Sequence, residues 1–377
     1  MVASDGRAPQ DAPCSVADSS SGSCSSGRTA AREPVSVKKT TMKVIQVTAL
    51  AAGLALFVYL IRRVGLTTIL HSMALVGFNF IFILLTSSFK HTTRAIAWKQ
   101  CIQDGASDVR LGELFLVRLA GESVRYLTFT GPLLGEPSKA ALIRHRLSLF
   151  HGFSSVIVEA MTYALVSIII TVSGLFLLLA LFTVPGSVQT FGLIVGGAIA
   201  GFIAFWYLAI RRRWRVLSHA VDFLQRRLSI SRLATSGDKV RQFEEQIYDF
   251  FTDRPGRLAL VLLLELLSHL SGVVEIYLVL MFLGYESSLI IAVIIESITK
   301  IINAAFFFVP GQVGVYEGGQ ALVLNLLGLG TAAGVTLALI EKIRNLFWAA
   351  VGLLILSYYI LKGQWARPEE RRSRIVR

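Results

Sequence analysis

LGELFLVRLAGESVRYLTFTGPLLGEPSKAALIRHR, residues Leu111–Arg146, is mostly apolar, yet charge, glycine and proline keep interrupting it. A plain membrane-spanning helix needs about 20 consecutive apolar residues with few charges. This run instead places Arg118, Glu122, Arg125, Glu136 and Lys139 inside a membrane-like segment. Gly131, Pro132, Gly135 and Pro137 fall in its middle. Irregular backbone at membrane depth is tolerated only where protein buries it or where it lines a wet cavity. The stretch therefore reads as two half-helices meeting at a polar break, held by a surrounding bundle.

The composition agrees. The chain has 377 residues, of which 54% are hydrophobic, and a mean hydropathy of +0.63. The fold class expected is all-α, a polytopic helical membrane bundle of about 7–8 spans with two re-entrant-like broken segments. The net charge of +13 comes from basic residues in the connections between apolar runs. There it fits orientation and contact with anionic headgroups better than nucleic acid. Cys14, Cys24 and Cys101 form no close pair, so neither a disulfide framework nor a zinc site is indicated. His145 and His151 lack a third ligand nearby. No cofactor and no metal are expected, and no GxxxxGK[ST] nucleotide motif is present.

Taken in order, residues 1–41 form a polar, Ser-rich tail that cannot bury enough apolar surface to order itself. The membrane domain is expected over 42–361, and a basic tail over 362–377. The spans read as about Met42–Ile61, Ser72–Phe89, Phe153–Phe182, Phe191–Ile210, Leu258–Leu283, Leu289–Phe308 and Thr331–Leu361. After the second span, Lys90, Arg94, Lys99 and Arg110 read as a basic connection with a short amphipathic piece near Ile96–Ile102. Residues 211–257 carry eleven Lys/Arg against six Asp/Glu. Apolar residues recur there at helical spacing on either side of a Ser231–Gly237 turn. Two amphipathic helices lying on the membrane surface and a packed hairpin with a solvated basic face both fit. The distribution of Lys and Arg puts this connection and both termini in the cytoplasm, in a cell (inner) membrane.

A second interruption, VPGQVGVYEGGQALVLNLLGLG, spans Val309–Gly330. Its Pro310, Gly311, Gly314 and Glu317 echo the Gly131–Glu136 segment: proline and glycine early, a carboxylate shortly after. Half-helix N-termini at such breaks suit anionic groups. Further charged or polar residues lie within apolar runs: Glu159, Glu265, His269, Glu275, Glu296, Lys300, Glu341 and Arg344. Such residues face the bundle interior and either pair or line a pathway. Glu296 and Lys300 have the spacing of an i,i+4 pair, as do Glu265 and His269.

The pattern Arg118–Ser123, Gly131–Pro132, Gly135–Ala140 and Arg144, with Pro310–Gly311, Gly314, Glu317 and Arg344 later, resembles the transmembrane region of lysylphosphatidylglycerol synthases. That family also includes stand-alone flippase-like, in part hopanoid-associated, membrane proteins. The resemblance covers roughly residues 45–360. It implies a bundle with interrupted helices and lipid translocation. The alternatives are a membrane enzyme, or an accessory scaffold for a lipid-, hopanoid- or envelope-glycan-biosynthesis enzyme. Under the first reading Arg118, Arg125, Lys139 and Arg344 contact phosphate, and Glu122, Glu136 and Glu317 gate or carry a proton, in a cavity between the two broken helices. Where family members often have Asn and Pro, this chain has Arg125 and Phe129. Sixteen residues follow the last span, so lysyl transfer is not expected of this chain. Membrane lipids with anionic headgroups are the expected partners.

Overall fold

The computed structural model describes residues 58–59, 62, 66–103, 109–128, 132–183, 185–214, 218, 237–286, 288–306, 312 and 314–361. The expected N-terminal tail, nearly all of the first span, the Ser231–Gly237 turn up to its last residue and the C-terminal tail lie outside them. Within them the regular structure is helical, with no strand. Helix α1 is Leu66–Val76, followed through a 3-10 turn at Gly77–Asn79 by α2, Phe80–Cys101. The first broken segment forms α3 (Leu111–Leu127) and α4 (Pro132–Leu142). Then come α5 (Leu149–Leu181), α6 (Gly186–Arg211), the amphipathic α7 (Gly237–Asp253) and α8 (Pro255–Phe282). Helices α9 (Leu289–Ala305), α10 (Val315–Leu326) and α11 (Thr331–Leu361) complete the order.

Among the described residues five helices are long and apolar enough to cross a membrane: Ala74–Cys101, Leu149–Leu181, Gly192–Arg211, Pro255–Phe282 and Thr331–Leu361. The bundle is inside-out by the standards of a water-soluble protein. Phe78, Leu193 and Leu354 point outward, and Arg118, Glu159 and Glu265 point inward. Lipid tails solvate the outer apolar surface, whereas charge must find partners inside.

The interrupted elements are short. Helix α3 has 17 residues and α4 has 11; at 1.5 Å per residue neither reaches the roughly 30 Å of a hydrocarbon core. Helix α3 ends at Leu127, and Thr128 turns extended (φ −112°, ψ 147°). Pro132 opens α4, where its missing N–H costs no helical bond. Gly135 and Pro137, read from sequence as part of the interruption, lie inside α4 instead. Gly135 is used for proximity: a Cβ there would meet Arg125 Cβ at 2.7 Å, and one on Gly121 would meet Lys139 Cγ at 2.4 Å. The two half-helices thus cross with their backbones almost touching.

Helix α11 is the post between the two broken segments. On one side Gly352 meets α3 so closely that a Cβ would stand 2.2 Å from the Leu119 carbonyl oxygen. On the other, a Cβ on Gly334 would stand 2.4 Å from the carbonyl oxygen of Gln320 in α10. Helix α2 packs along α8, and α5 along α9. The apolar face of α7 docks on the bundle rather than lying free. Phe250 is fully buried, and Phe243 stacks 5.6 Å from Phe153 of α5. Of the other half of the 211–257 connection, residues 211–214 and Ser218 are described; the Ser218 backbone N–H donates to Glu244 of α7 at 3.2 Å.

Gly352→Ala and Gly334→Ala are each expected to destabilise the bundle by about 1–3 kcal/mol through overpacking against backbone. Gly196→Ala, with nothing within 4 Å, serves as the neutral control. Thermal unfolding of the three variants in detergent checks this, and equal midpoints would contradict the close crossings.

Candidate functional site

The sequence reading places a connection after Phe89. The structure instead carries α2 through Lys90, Arg94 and Lys99 as one helix to Cys101. Nothing in SSFKHTTRAIAW breaks a helix, and hydroxyls along it bond back to the preceding turn, as Thr92 does to the Ser88 carbonyl at 2.9 Å. Helical spacing then puts Ser87, Lys90, His91 and Arg94 on one face. The signal was legible as an i, i+3, i+4, i+7 polar stripe without Gly or Pro.

Arg94 is the centre of that face. Its Nε and Nη2 donate to Glu159 Oε1 of α5 at 3.1 and 2.8 Å. The same Nε lies 3.6 Å from Glu265 Oε2 of α8, and Nη1 lies 3.9 Å from Glu122 Oε1 of α3. The guanidinium carbon stands 3.6 Å from the centroid of the Tyr163 ring, a cation–π contact. One side chain therefore ties α2 to three other helices. Arg118, with no exposed surface, supports it from α3 by donating to Glu159 Oε1 at 2.8 Å and Glu122 Oε1 at 3.4 Å. Arg125 Nε donates to Glu122 Oε2 at 2.6 Å. Lys139 Nζ donates to both Glu136 oxygens at 2.9 Å and lies 3.8 Å from Glu122. The result is a continuous network of four cations and four carboxylates across α2, α3, α4, α5 and α8.

Three separate ion pairs lie further along the bundle. Arg344 of α11 pairs with Glu275 of α8. Lys300 donates to Glu296 at 2.5 Å within α9. Lys342 of α11 pairs with Glu317 of α10. Glu317 also accepts the Gly314 N–H at 2.8 Å, capping its own helix where Gly314 takes φ +88°. Tyr316 donates to Glu341 Oε2 at 2.6 Å.

A cavity of about 130 Å³ opens against the network, between α2, α3, α5 and α11. A water occupies about 30 Å³, so this space takes a phosphate-sized group or a few waters. Lys90, Arg94, Arg125 and Arg344 line it, with Glu122 the single carboxylate in the wall. His91, Tyr163 and Trp348 add aromatic surface; the His91 and Trp348 rings meet edge to face at 5.1 Å. Lys90 has no ion pair of its own among the described residues.

Of the residues marked in the sequence, Glu122, Arg125 and Arg344 line this cavity. Arg118, Glu159, Glu265, Glu136 and Lys139 form the charged layer behind or beside its wall. His269 is buried and stacks on Tyr163 at 4.6 Å; it makes no pair with Glu265. Glu296 and Lys300 pair with each other, as their spacing indicates. Pro132 and Gly135 shape α4, and Arg144 lies half-buried in the turn after it. Gly131, Pro310 and Gly311 fall outside the described residues. Neither α4 nor α10 contributes a wall. The expected cavity between the two broken helices is thereby corrected in place: α11 separates them, and the cavity opens on the α3 side. Sequence reasoning missed Lys90, Arg94, Tyr163 and Trp348. Among the described residues no group of three His, Cys, Asp or Glu is placed to hold a metal ion.

The family model described as the lysylphosphatidylglycerol synthase transmembrane region matches residues 46–355. No curated protein and no solved structure shows a significant match.

Removing one member of a buried pair leaves an uncompensated charge, at a typical cost of 3–5 kcal/mol. Glu159→Gln, which leaves Arg94 and Arg118 short of their shared acceptor, is expected to lower the thermal midpoint far more than Arg146→Gln at the exposed Glu113 pair. Equal effects would show that the network contributes no more than a surface contact.

Proposed function

The chain belongs to the lysylphosphatidylglycerol synthase transmembrane-region family, and on that premise we propose that it is a lipid carrier that admits an anionic headgroup into the cationic cavity and translocates it. Family membership makes it a multi-pass membrane protein tied to lipid metabolism. The observation that carries the finer reading is the imbalance of the cavity wall. Four cations face the space against one carboxylate, and Lys90 has no ion-pair partner among the described residues. Guanidinium and ammonium groups held in place, with little water to screen them, favour a phosphate monoanion. Arg125 is half exposed on one side of the opening, so a headgroup enters while its acyl chains stay on the apolar outer surface.

The aromatic groups complete the niche. Trp348 offers ring surface and an indole N–H that finds no partner among the described residues, which suits the glycerol backbone just beyond a phosphate. The reading is of a carrier that makes and breaks no covalent bond. Movement draws on a gradient or proceeds passively. The Lys/Arg distribution supports a location in the cell membrane with both termini cytoplasmic.

Reconstitution in liposomes with labelled phosphatidylglycerol tests the proposal. Leaflet exchange is expected to rise with protein, and to rise less for phosphatidylcholine. A charge-assisted contact is worth about 1.5–3 kcal/mol, so Lys90→Gln is expected to weaken phosphatidylglycerol binding about 10- to 100-fold. Exchange unchanged by the protein, or binding unchanged by Lys90→Gln, would refute the reading.

A further inference from the structure

Helix α8 carries buried polar atoms that find no hydrogen-bond partner among the described residues: both oxygens of Glu265, the Ser268 hydroxyl and His269 Nδ1. All three residues have no exposed surface. Buried polar groups are normally satisfied, and exceptions call for an explanation in ionisation or function. Glu265 is the sharpest case, because its nearest cation, Arg94 Nε at 3.6 Å, already donates to Glu159 at 3.1 Å. Two carboxylates thus share one guanidinium nitrogen in a dry interior.

The surroundings leave Glu265 no second cation in contact. From α2 it meets Arg94, with Cys101 beyond; from α5, Glu159; from α3, Arg118 through Glu159. Its own helix adds His269, whose Nε2 is turned to the Tyr163 carbonyl oxygen at 3.4 Å. The α9 pair Glu296–Lys300 meets α8 at Gly272, and Arg344 of α11 pairs with Glu275, both further along the helix. Helix α7 brings apolar Ile247 and Phe250 to this end.

The central network holds four cations and four carboxylates, and the three separate pairs are neutral. Lys90 stands outside these pairs, Tyr316 donates to Glu341, and Glu244 of α7 is buried against Ser218. A phosphate monoanion bound at Lys90 and Arg94 takes Lys90 as its counter-charge and draws Arg94 away from Glu265, which leaves that buried carboxylate without a cation in contact.

We propose that Glu265 is a proton-binding site coupled to headgroup occupancy, so that an anionic lipid binds together with a proton taken from solvent onto the Glu265 carboxylate. This rests on the headgroup reading of the cavity. It makes the cargo plus proton electrically neutral, and it gives a proton gradient a point of purchase on lipid movement.

The test uses the full chain in weakly buffered detergent with a pH-indicator dye, titrated with dihexanoyl-phosphatidylglycerol. Wild type is expected to take up about one proton per bound lipid. Its affinity is then expected to fall up to tenfold per pH unit on the alkaline side. Dihexanoyl-phosphatidylcholine is expected to cause no uptake. Glu265→Gln should bind phosphatidylglycerol with no uptake and a flat pH dependence, while Glu341→Gln keeps both. Wild-type binding without proton uptake, or uptake that persists in Glu265→Gln, overturns the inference and leaves the headgroup reading standing. Absence of phosphatidylglycerol binding by wild type overturns both.

Discussion

A guanidinium at membrane depth must be neutralised, and Arg94 is where this bundle meets that demand. Water is not there to solvate it, so three carboxylates from three different helices converge on it, at 2.8, 3.6 and 3.9 Å. Each of those helices is held at the distance that the pairing requires. Moving any one of them exposes an unpaired charge to a low-dielectric surround, which is far more costly than the loss of an apolar contact. The network therefore contributes as much to specifying the arrangement as to stabilising it. A hydrocarbon solvent gives no hydrophobic drive for helices to associate.

Close backbone approach provides the remainder. Gly121 and Gly135 let the half-helices α3 and α4 cross, and Gly352 and Gly334 let α11 press on α3 and α10. Short helices that cannot span by themselves are thereby built into a layer inside the bundle. The consequence for function is geometric. Helix α3 presents Glu122 and Arg125 to a cavity whose opposite wall is α11, with Arg344, Asn345 and Trp348. Charge held rigidly in a partly open space is what a headgroup site needs and what a merely structural ion pair would avoid.

Much of this was legible in the chain. The apolar runs gave the spanning helices, and Thr331–Leu361 matches its helix end to end. The first interruption marked α3 and α4, because glycine, proline and charge cannot coexist in a lipid-facing helix. Other parts were hidden. Lys90 and Arg94 look like a loop when charge is counted along the chain, and become an interior face only once α2 is known to continue. The partners of Arg94 are 28, 65 and 171 residues away in sequence, so their convergence depends on packing that no local pattern encodes. The symmetry of the two Gly/Pro/Glu motifs suggested a shared niche. It hid the fact that Glu317 is occupied in capping α10 and pairing with Lys342.

A partly open, cationic space lies at the hub of this buried ion network. Cysteine accessibility measures it directly. In a chain with Cys14 and Cys24 replaced by Ser, and with Cys101 buried, His91→Cys places a thiol in the cavity wall without removing any of its cations. Leu85→Cys places one on the outer face of α2. The cavity thiol is expected to react with a membrane-impermeant anionic thiosulfonate about tenfold or more faster than with its cationic counterpart. The thiol at residue 85 is expected to stay inert to both. A cavity thiol as inert as the outer one, or indifferent to the sign of the reagent, would contradict it.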